Sequence, residues 1–291
     1  MSTENQNTEA APVEQLVAAP APAAPVAAPV PVNPLLARIQ LPGETFKLPS
    51  CGVFYKNGEL HPSVTDAEVH VHPMTVIDEI TIKTPDMLFS GRAVEEVFGR
   101  CIPQVLKPTE LLAKDVDFLM LCLRKVSYGN TLELASTHFD CEKVDEPKSQ
   151  NYMIDINVFI QNTKRIDPTS VAKDYTVSFD NDQVIKMQPV RFSDFINLMQ
   201  VQEDVNMAPE KQVDILVKAL ARVILSVDEI TDPGMIGEWL RMIKPAYLNK
   251  LNDQLEASVN WGPDFKYKIE CKDCGEAQEV VAPLNPLAFF T

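Results

Sequence analysis

Cys271-Lys272-Asp273-Cys274-Gly275 decides how this chain is read. Two thiols two residues apart on a tight turn take adjacent corners of a tetrahedron, and a glycine just after them relieves the backbone. The turn follows a stretch of extended character in which Phe265, Tyr267 and Ile269 alternate. Such a pair is half a metal site. The other half is best supplied by His138-Phe139-Asp140-Cys141, which has the same gap, joins a thiolate to an imidazole and also lies beside alternating apolar residues. Together His138, Cys141, Cys271 and Cys274 make a Cys3His set suited to Zn2+. Four protein ligands leave no open coordination position, so the expected ion is structural and not catalytic.

The two halves are 130 positions apart. Closing so long a flexible loop costs about 4 kcal/mol, on a (3/2)RT ln n dependence. A structural zinc contributes roughly 10–16 kcal/mol in small peptides, which exceeds that cost. The competing readings are a reduced, metal-free pair or a thiol–disulfide pair of the thioredoxin sort. The latter is expected to open a helix within a βαβ unit, whereas strands are expected on both sides here. Six cysteines without a secretory leader favour reduced thiols or ligands over a disulfide framework. Cys51, Cys101 and Cys122 fall in a turn and on two apolar helical faces and read as small hydrophobes. His70 and His72 share a strand face with Glu68 but lack a fourth ligand, and read as surface histidines.

A chain of 291 residues, 45% apolar, can bury a substantial core in one large domain or two small ones. Its formal charge of −15 opposes binding to phosphate backbones, so nucleic acid and anionic membrane are disfavoured partners. No run approaches the roughly 20 apolar residues of a spanning helix, and Met1 to Asn7 lacks the basic start of a signal peptide. Synthesis in the cytosol is therefore expected. Residues 1–34 mix Ala, Pro and Val without periodicity and are expected to form a disordered, partly polyproline II tail. The tail reads either as a tether for a partner or as a solvated leader.

Beyond the tail the expected fold class is α+β: a helical body with short antiparallel β segments and a zinc-ribbon-like element closed by the C-terminus. Residues 35–130 read as turns and helices, with a strand at Val69–Met74 and two short helices broken at Ser90-Gly91. Asp115 is expected to cap the next helix, and Gly129 to end it. Residues 131–190 read as β-rich, with Ile154, Ile156, Val158 and Ile160 in period two and a hairpin turn at Asn181-Asp182. Residues 191–260 read as helical at Phe192–Met199, Pro209–Ser226 and Pro233–Ile243, with a further stripe at Leu248, Leu251, Leu255 and Val259. Residues 261–291 hold the knuckle and a C-terminal strand packing on 131–165, and end in an apolar Pro286–Phe290 that is either an interface or a core plug.

No glycine-rich phosphate loop, nucleophile elbow or metalloprotease helix is present in the sequence. The pairs Asp115/Asp117 and Glu95/Glu96 read as capping and a solvated helix face and not as acid–base carboxylates. A non-enzymatic protein is expected. Lys266, Lys268 and Lys272 cluster around the knuckle and keep open a second reading, in which the ribbon grips nucleic acid.

Leu48-Pro49-Ser50-Cys51-Gly52-Val53-Phe54-Tyr55, His72-Pro73-Met74-Thr75 with Glu79, and Pro85 through Ser90-Gly91 to Cys101-Ile102-Pro103 resemble the T4-like bacteriophage baseplate protein family. The likeness continues through Asp115-Val116-Asp117, Arg124, Tyr128-Gly129-Asn130, His138/Cys141, Cys271/Cys274-Gly275, Pro283-Leu284-Asn285-Pro286 and Phe289-Phe290, covering most of the chain beyond Phe46. Members of that family carry Cys-x-x-Cys at the first ligand pair, where this chain has His138 in place of the first cysteine. The resemblance implies a structural or assembly component of the tail baseplate hub of a contractile-tailed phage. It further implies other tail and hub proteins as partners, tape-measure or tube-initiation proteins among them. The implied location is the virion or, during assembly, the infected host cytoplasm. The alternative is a nucleic-acid-binding or host-directed regulatory zinc-ribbon protein.

Overall fold

The alternation at Val69 and Val71 buries both side chains on one face of a strand, with Phe46 opposite Val69 on its partner. These are β1 (Glu44–Lys47) and β2 (Glu68–Val71), an antiparallel pair. The computed structural model describes residues 42–138, 141, 143, 149–203 and 207–282; the 1–34 tail and the Pro286–Phe290 terminus lie outside them. Three short helices follow: α1 (Val76–Ile82), α2 (Pro85–Phe89) and α3 (Arg92–Cys101). Asp78 starts α1 by accepting from Thr75 N (2.8 Å) and Thr75 Oγ1 (2.6 Å), and also pairs with Arg100 of α3. Gly91, at φ +74°, makes the break between α2 and α3, close enough to Ile196 that an added Cβ would lie 3.5 Å from it.

Helix α4 (Ala113–Tyr128) runs through the first core, with Phe118, Leu119, Leu121, Cys122 and Leu123 all buried, and ends at Gly129. Asp115 is not its cap. The capping position is Leu112, and Asp115, one turn in and fully buried, accepts from Ser50 N (3.0 Å) and Tyr55 Oη (2.5 Å). Tyr55 Oη in turn accepts from Leu112 N at 2.9 Å. An acid near a helix start can serve the helix or a neighbouring loop; here the 48–55 loop takes both oxygens. Burial pushes the Asp115 carboxyl up to about 6, against the pull of those hydrogen bonds.

β3 (Thr131–Thr137) and β4 (Ser149–Asp155) pair antiparallel, Leu134 opposite Tyr152. The expected continuation of the strand through Val158 and Ile160 is wrong: the chain turns at Asp155, whose Oδ1 caps Asn157 N at 2.9 Å, into α5 (Ile156–Gln161). Ile156, Phe159 and Ile160 also satisfy helical spacing, and Ile156 and Phe159 are buried as a helix face.

A short α6 (Val171–Asp174) leads to β5 (Thr176–Ser178) and β6 (Val184–Met187), joined by a turn in which Asp182 takes φ +63°. Then come α7 (Phe192–Glu203) and α8 (Pro209–Val223). Helix α8 stops three residues short of the expected Ser226, because Ile224–Val227 becomes β7 and pairs with β6. β-Branched Ile224 and Val227 fill the second core from that sheet, where a helix would point them elsewhere. α9 (Pro233–Met242) is capped by Asp232, and α10 (Pro245–Ser258) buries Leu251. The chain then forms the antiparallel pair β8 (Lys266–Glu270) and β9 (Ala277–Val281).

Helices and short antiparallel sheets thus give an α+β fold with two cores. One gathers α3, α4, α5 and the β3–β4 ladder; the other gathers β5–β7, α9, α10 and Trp261. Phe159 of α5 lies 6.1 Å from the Phe265 ring and 5.9 Å from the Tyr267 ring, so β8 docks on the first core and brings Cys271 to the end of β3. No helix among the described residues is long and apolar enough to cross a membrane.

Candidate metal centre

The knuckle begins where β8 ends. Cys271 N donates to Glu276 O (2.9 Å) and Gly275 N to Cys271 O (2.8 Å), closing a tight turn that places Gly275 at φ +78°. Side chains of β4 hold this turn in place. Gln150 Oε1 accepts from Lys272 N (3.0 Å) and from Tyr152 Oη (2.7 Å), and its Nε2 donates to Asp273. Lys272 Nζ donates to Asn151 O at 2.6 Å. The opposite half comes from the end of β3, where His138 follows the strand and Cys141 is buried.

The two halves meet. The ligating atoms of His138, Cys141, Cys271 and Cys274 all lie within 4.8 Å of one another. Cys141 Sγ is 4.0 Å from Cys271 Sγ, and Cys274 Sγ is 3.4 Å from His138 Nδ1. An ion about 2.3 Å from sulfur and about 2.0 Å from nitrogen, with tetrahedral angles, sets sulfurs about 3.8 Å apart and sulfur about 3.5 Å from nitrogen. The donor set and its spacing therefore fit a tetrahedral metal ion. They do not fit a disulfide, whose sulfurs lie about 2.05 Å apart, and all six cysteines are free.

The electrostatics favour thiolate at one corner. The Cys274 and Asp273 amides point at the Cys271 sulfur and pull its thiol down to about 6. The Glu276 amide does the same for Cys274, but burial and the Cys271 and Cys141 sulfurs beside it outweigh this and raise that thiol. Positive charge brought into the cluster by a metal ion removes the repulsion between neighbouring sulfurs.

The other residues weighed in the sequence stand apart from this centre. Cys101 is buried with its thiol pushed up to about 12, and Cys122 is likewise raised by burial within α4. Cys51 Sγ lies 3.9 Å from Ile166 O. His70 and His72 pack edge to face with ring centres 4.7 Å apart. Glu96 pairs with Arg92 and Arg100, and Asp117, raised to about 6 by burial, sits 3.9 Å from Lys114. Of the knuckle lysines, Lys266 pairs with Glu279 (3.0 Å), while Lys272 is held by the Asn151 carbonyl. Sequence reading missed Gln150, which carried no signal in an alternating strand. It also missed Glu276, whose only signal was its place two residues after Cys274.

No curated protein and no solved structure matched the chain. Residues 57–291 match the family model for the T4 bacteriophage base plate protein, a span that includes both halves of the Cys3His cluster. The chain belongs to the T4 bacteriophage base plate protein family.

Proposed function

We propose that this protein is a structural or assembly component of the hub of the tail baseplate, and that it acts through contacts with other tail proteins and not through catalysis. In this reading His138, Cys141, Cys271 and Cys274 hold a structural Zn2+. The observation that carries the metal assignment is the convergence of those four ligating atoms within 4.8 Å. Three thiols and one imidazole are soft and borderline donors, which favour zinc over the hard cations magnesium and calcium. With all four corners taken by protein, no position is left for water or substrate, which supports a closed, structural centre.

Family membership supports tail proteins as partners, with tape-measure and tube-initiation proteins the candidates at the hub. The surface supports contact as the mode of action. Val76, Ile77 and Ile80 of α1 and Phe89 of α2 are each more than half exposed, apolar side chains that a partner could cover. The competing nucleic-acid reading is weakened by the −15 charge and by the partners that already hold Lys266 and Lys272.

Metal analysis of protein made in zinc-supplemented medium tests the first part: one zinc per chain is expected, lost in Cys271→Ser and Cys141→Ser. Less than about half an equivalent in the unmutated protein would sink it. Co-purification with tail proteins, together with the absence of steeply salt-dependent DNA binding, tests the second. A mass-spectrometric inventory of purified virions separates a resident component from an assembly factor that acts in the host cytoplasm and departs.

A further inference from the structure

We propose that Glu276 is the positioning residue of the metal centre: its carboxylate takes the Nε2–H of His138 and so fixes Nδ1 as the ligating nitrogen. The inference rests on the Cys3His metal reading and deepens it. His138 has two ring nitrogens, and they face different neighbours. Nδ1 lies 3.4 Å from Cys274 Sγ, inside the cluster, whereas Nε2 lies 3.7 Å from Glu276 Oε2, on its outer side. A metal-bound imidazole keeps a proton on the nitrogen that does not ligate, and an acceptor for that proton fixes both the tautomer and the ring plane. Glu276 Oε2 stands a few tenths of an ångström outside hydrogen-bond distance of Nε2, a gap that its exposed side chain closes when that nitrogen carries the proton.

The position of Glu276 is itself built into the knuckle. Its carbonyl accepts from Cys271 N at 2.9 Å, and its amide points at the Cys274 sulfur. The backbone of this one residue is therefore tied to both cysteines of the C-terminal half-site, while its side chain reaches the histidine of the other half. Across the 138 positions between them, the side chain couples the orientation of His138 to the turn that sets the two thiols. A cysteine at position 138 would have no ring N–H to offer. The acceptor matters because this chain has histidine there.

The experiment uses full-length protein in three forms: unmutated, Glu276→Ala and Glu276→Gln. Zinc affinity is read by competition with a chromophoric chelator, and the ligating nitrogen by long-range 1H–15N correlation on 15N-histidine-labelled, zinc-loaded protein, with His138→Cys used to assign the signal. The expected result is a His138 metal-bound at Nδ1 and protonated at Nε2. Affinity should fall about tenfold in Glu276→Ala, the low end for outer partners because the Glu276 side chain is 69% exposed, and fall less in Glu276→Gln, whose amide oxygen still accepts. Ligation through Nε2, or unchanged affinity in Glu276→Ala, overturns the proposal while leaving the metal reading intact. An unmutated protein that binds no zinc overturns the metal reading first and this inference with it.

Discussion

Two regions of this molecule fasten segments that are remote in sequence, and they do so by opposite means. The Cys3His cluster joins the end of β3 to the knuckle after β8 across 130 positions. The second region is a buried polar seam. There Asp115 ties α4 to the 48–55 loop, and Glu59 meets Arg191 at 3.1 Å across 132 positions, with both side chains at least nine-tenths buried. The first region concentrates lone pairs and, in the reading proposed above, waits for an external cation to neutralise them. The second carries its own counter-charges and donors: Arg191 also donates to Glu110 O at 2.6 Å, and Glu59 Oε2 accepts from Asn57 N at 2.7 Å. In that reading one fastening is open to a chelator, and the other is not.

Removing a ligand breaks that contrast most sharply. A structural zinc contributes roughly 10 kcal/mol or more, comparable with the 5–15 kcal/mol that hold a whole domain together. In Cys271→Ser, or on chelation of the unmutated protein, the amides of β8 and β9 are expected to lose protection from hydrogen exchange, while the β5–β7 sheet keeps it. Equal protection of Lys266–Glu270 with and without the metal would show that the Phe159, Phe265 and Tyr267 packing and the hydrogen bonds from Gln150 and Lys272 anchor the ribbon without an ion.

The polar seam predicts a smaller and different loss. Arg191→Met strands the Glu59 carboxylate in the interior, which costs about 3–5 kcal/mol in a urea unfolding experiment. Adding Glu59→Leu to the same chain recovers much of that loss, since two apolar side chains no longer leave a charge unpaired. A chelator leaves this difference unchanged. A double variant no more stable than the single one would mean that the seam depends on the Glu110 and Phe54 carbonyls that Arg191 also reaches, more than on the ion pair.

The same contrast explains what could be read from the sequence. Cysteine and histidine are few here, and their two-residue spacing carries geometry, so the four cluster residues could be named before any coordinates. Aspartate and glutamate are many, and their work depends on what buries them. Asp115 therefore looked like a cap, Glu59 and Arg191 drew no notice, and Glu276 was visible only as a neighbour of Cys274. Helix boundaries at Pro85, Gly91, Pro209 and Pro233 were legible because proline and glycine act locally. The runs at 154–160 and 223–227 were not, because short apolar runs satisfy helical and extended spacing alike, and tertiary packing chose α5 in one case and β7 in the other.

Acid should pull the two fastenings in opposite directions, and this is the subtlest test of the comparison. Metal ligands must be deprotonated, so the cluster weakens as pH falls. Asp115 behaves otherwise: burial raises its folded pKa to about 6 from an ordinary 3.8, so between those values the folded chain holds a proton that the unfolded chain has released. Its contribution to stability is complete below about pH 4 and is lost as the pH rises through 6, a change of at most about 3 kcal/mol at 1.36 kcal/mol per pKa unit. Asp117 and Asp194, both raised to about 6 by burial, the latter despite Arg222 beside it, add a background of the same sign. Asp115→Asn removes one titration and leaves the cluster, Asp117 and Asp194 alone; its amide oxygen can still accept from Ser50 N. Urea midpoints of the unmutated protein and Asp115→Asn, both zinc-loaded, should therefore diverge as pH falls from 6 to 4, the unmutated protein gaining ground on the variant while metal affinity falls in both. A constant gap across that range would mean that Asp115 is ionised throughout, held by its hydrogen bonds from Ser50 and Tyr55 more strongly than burial opposes it.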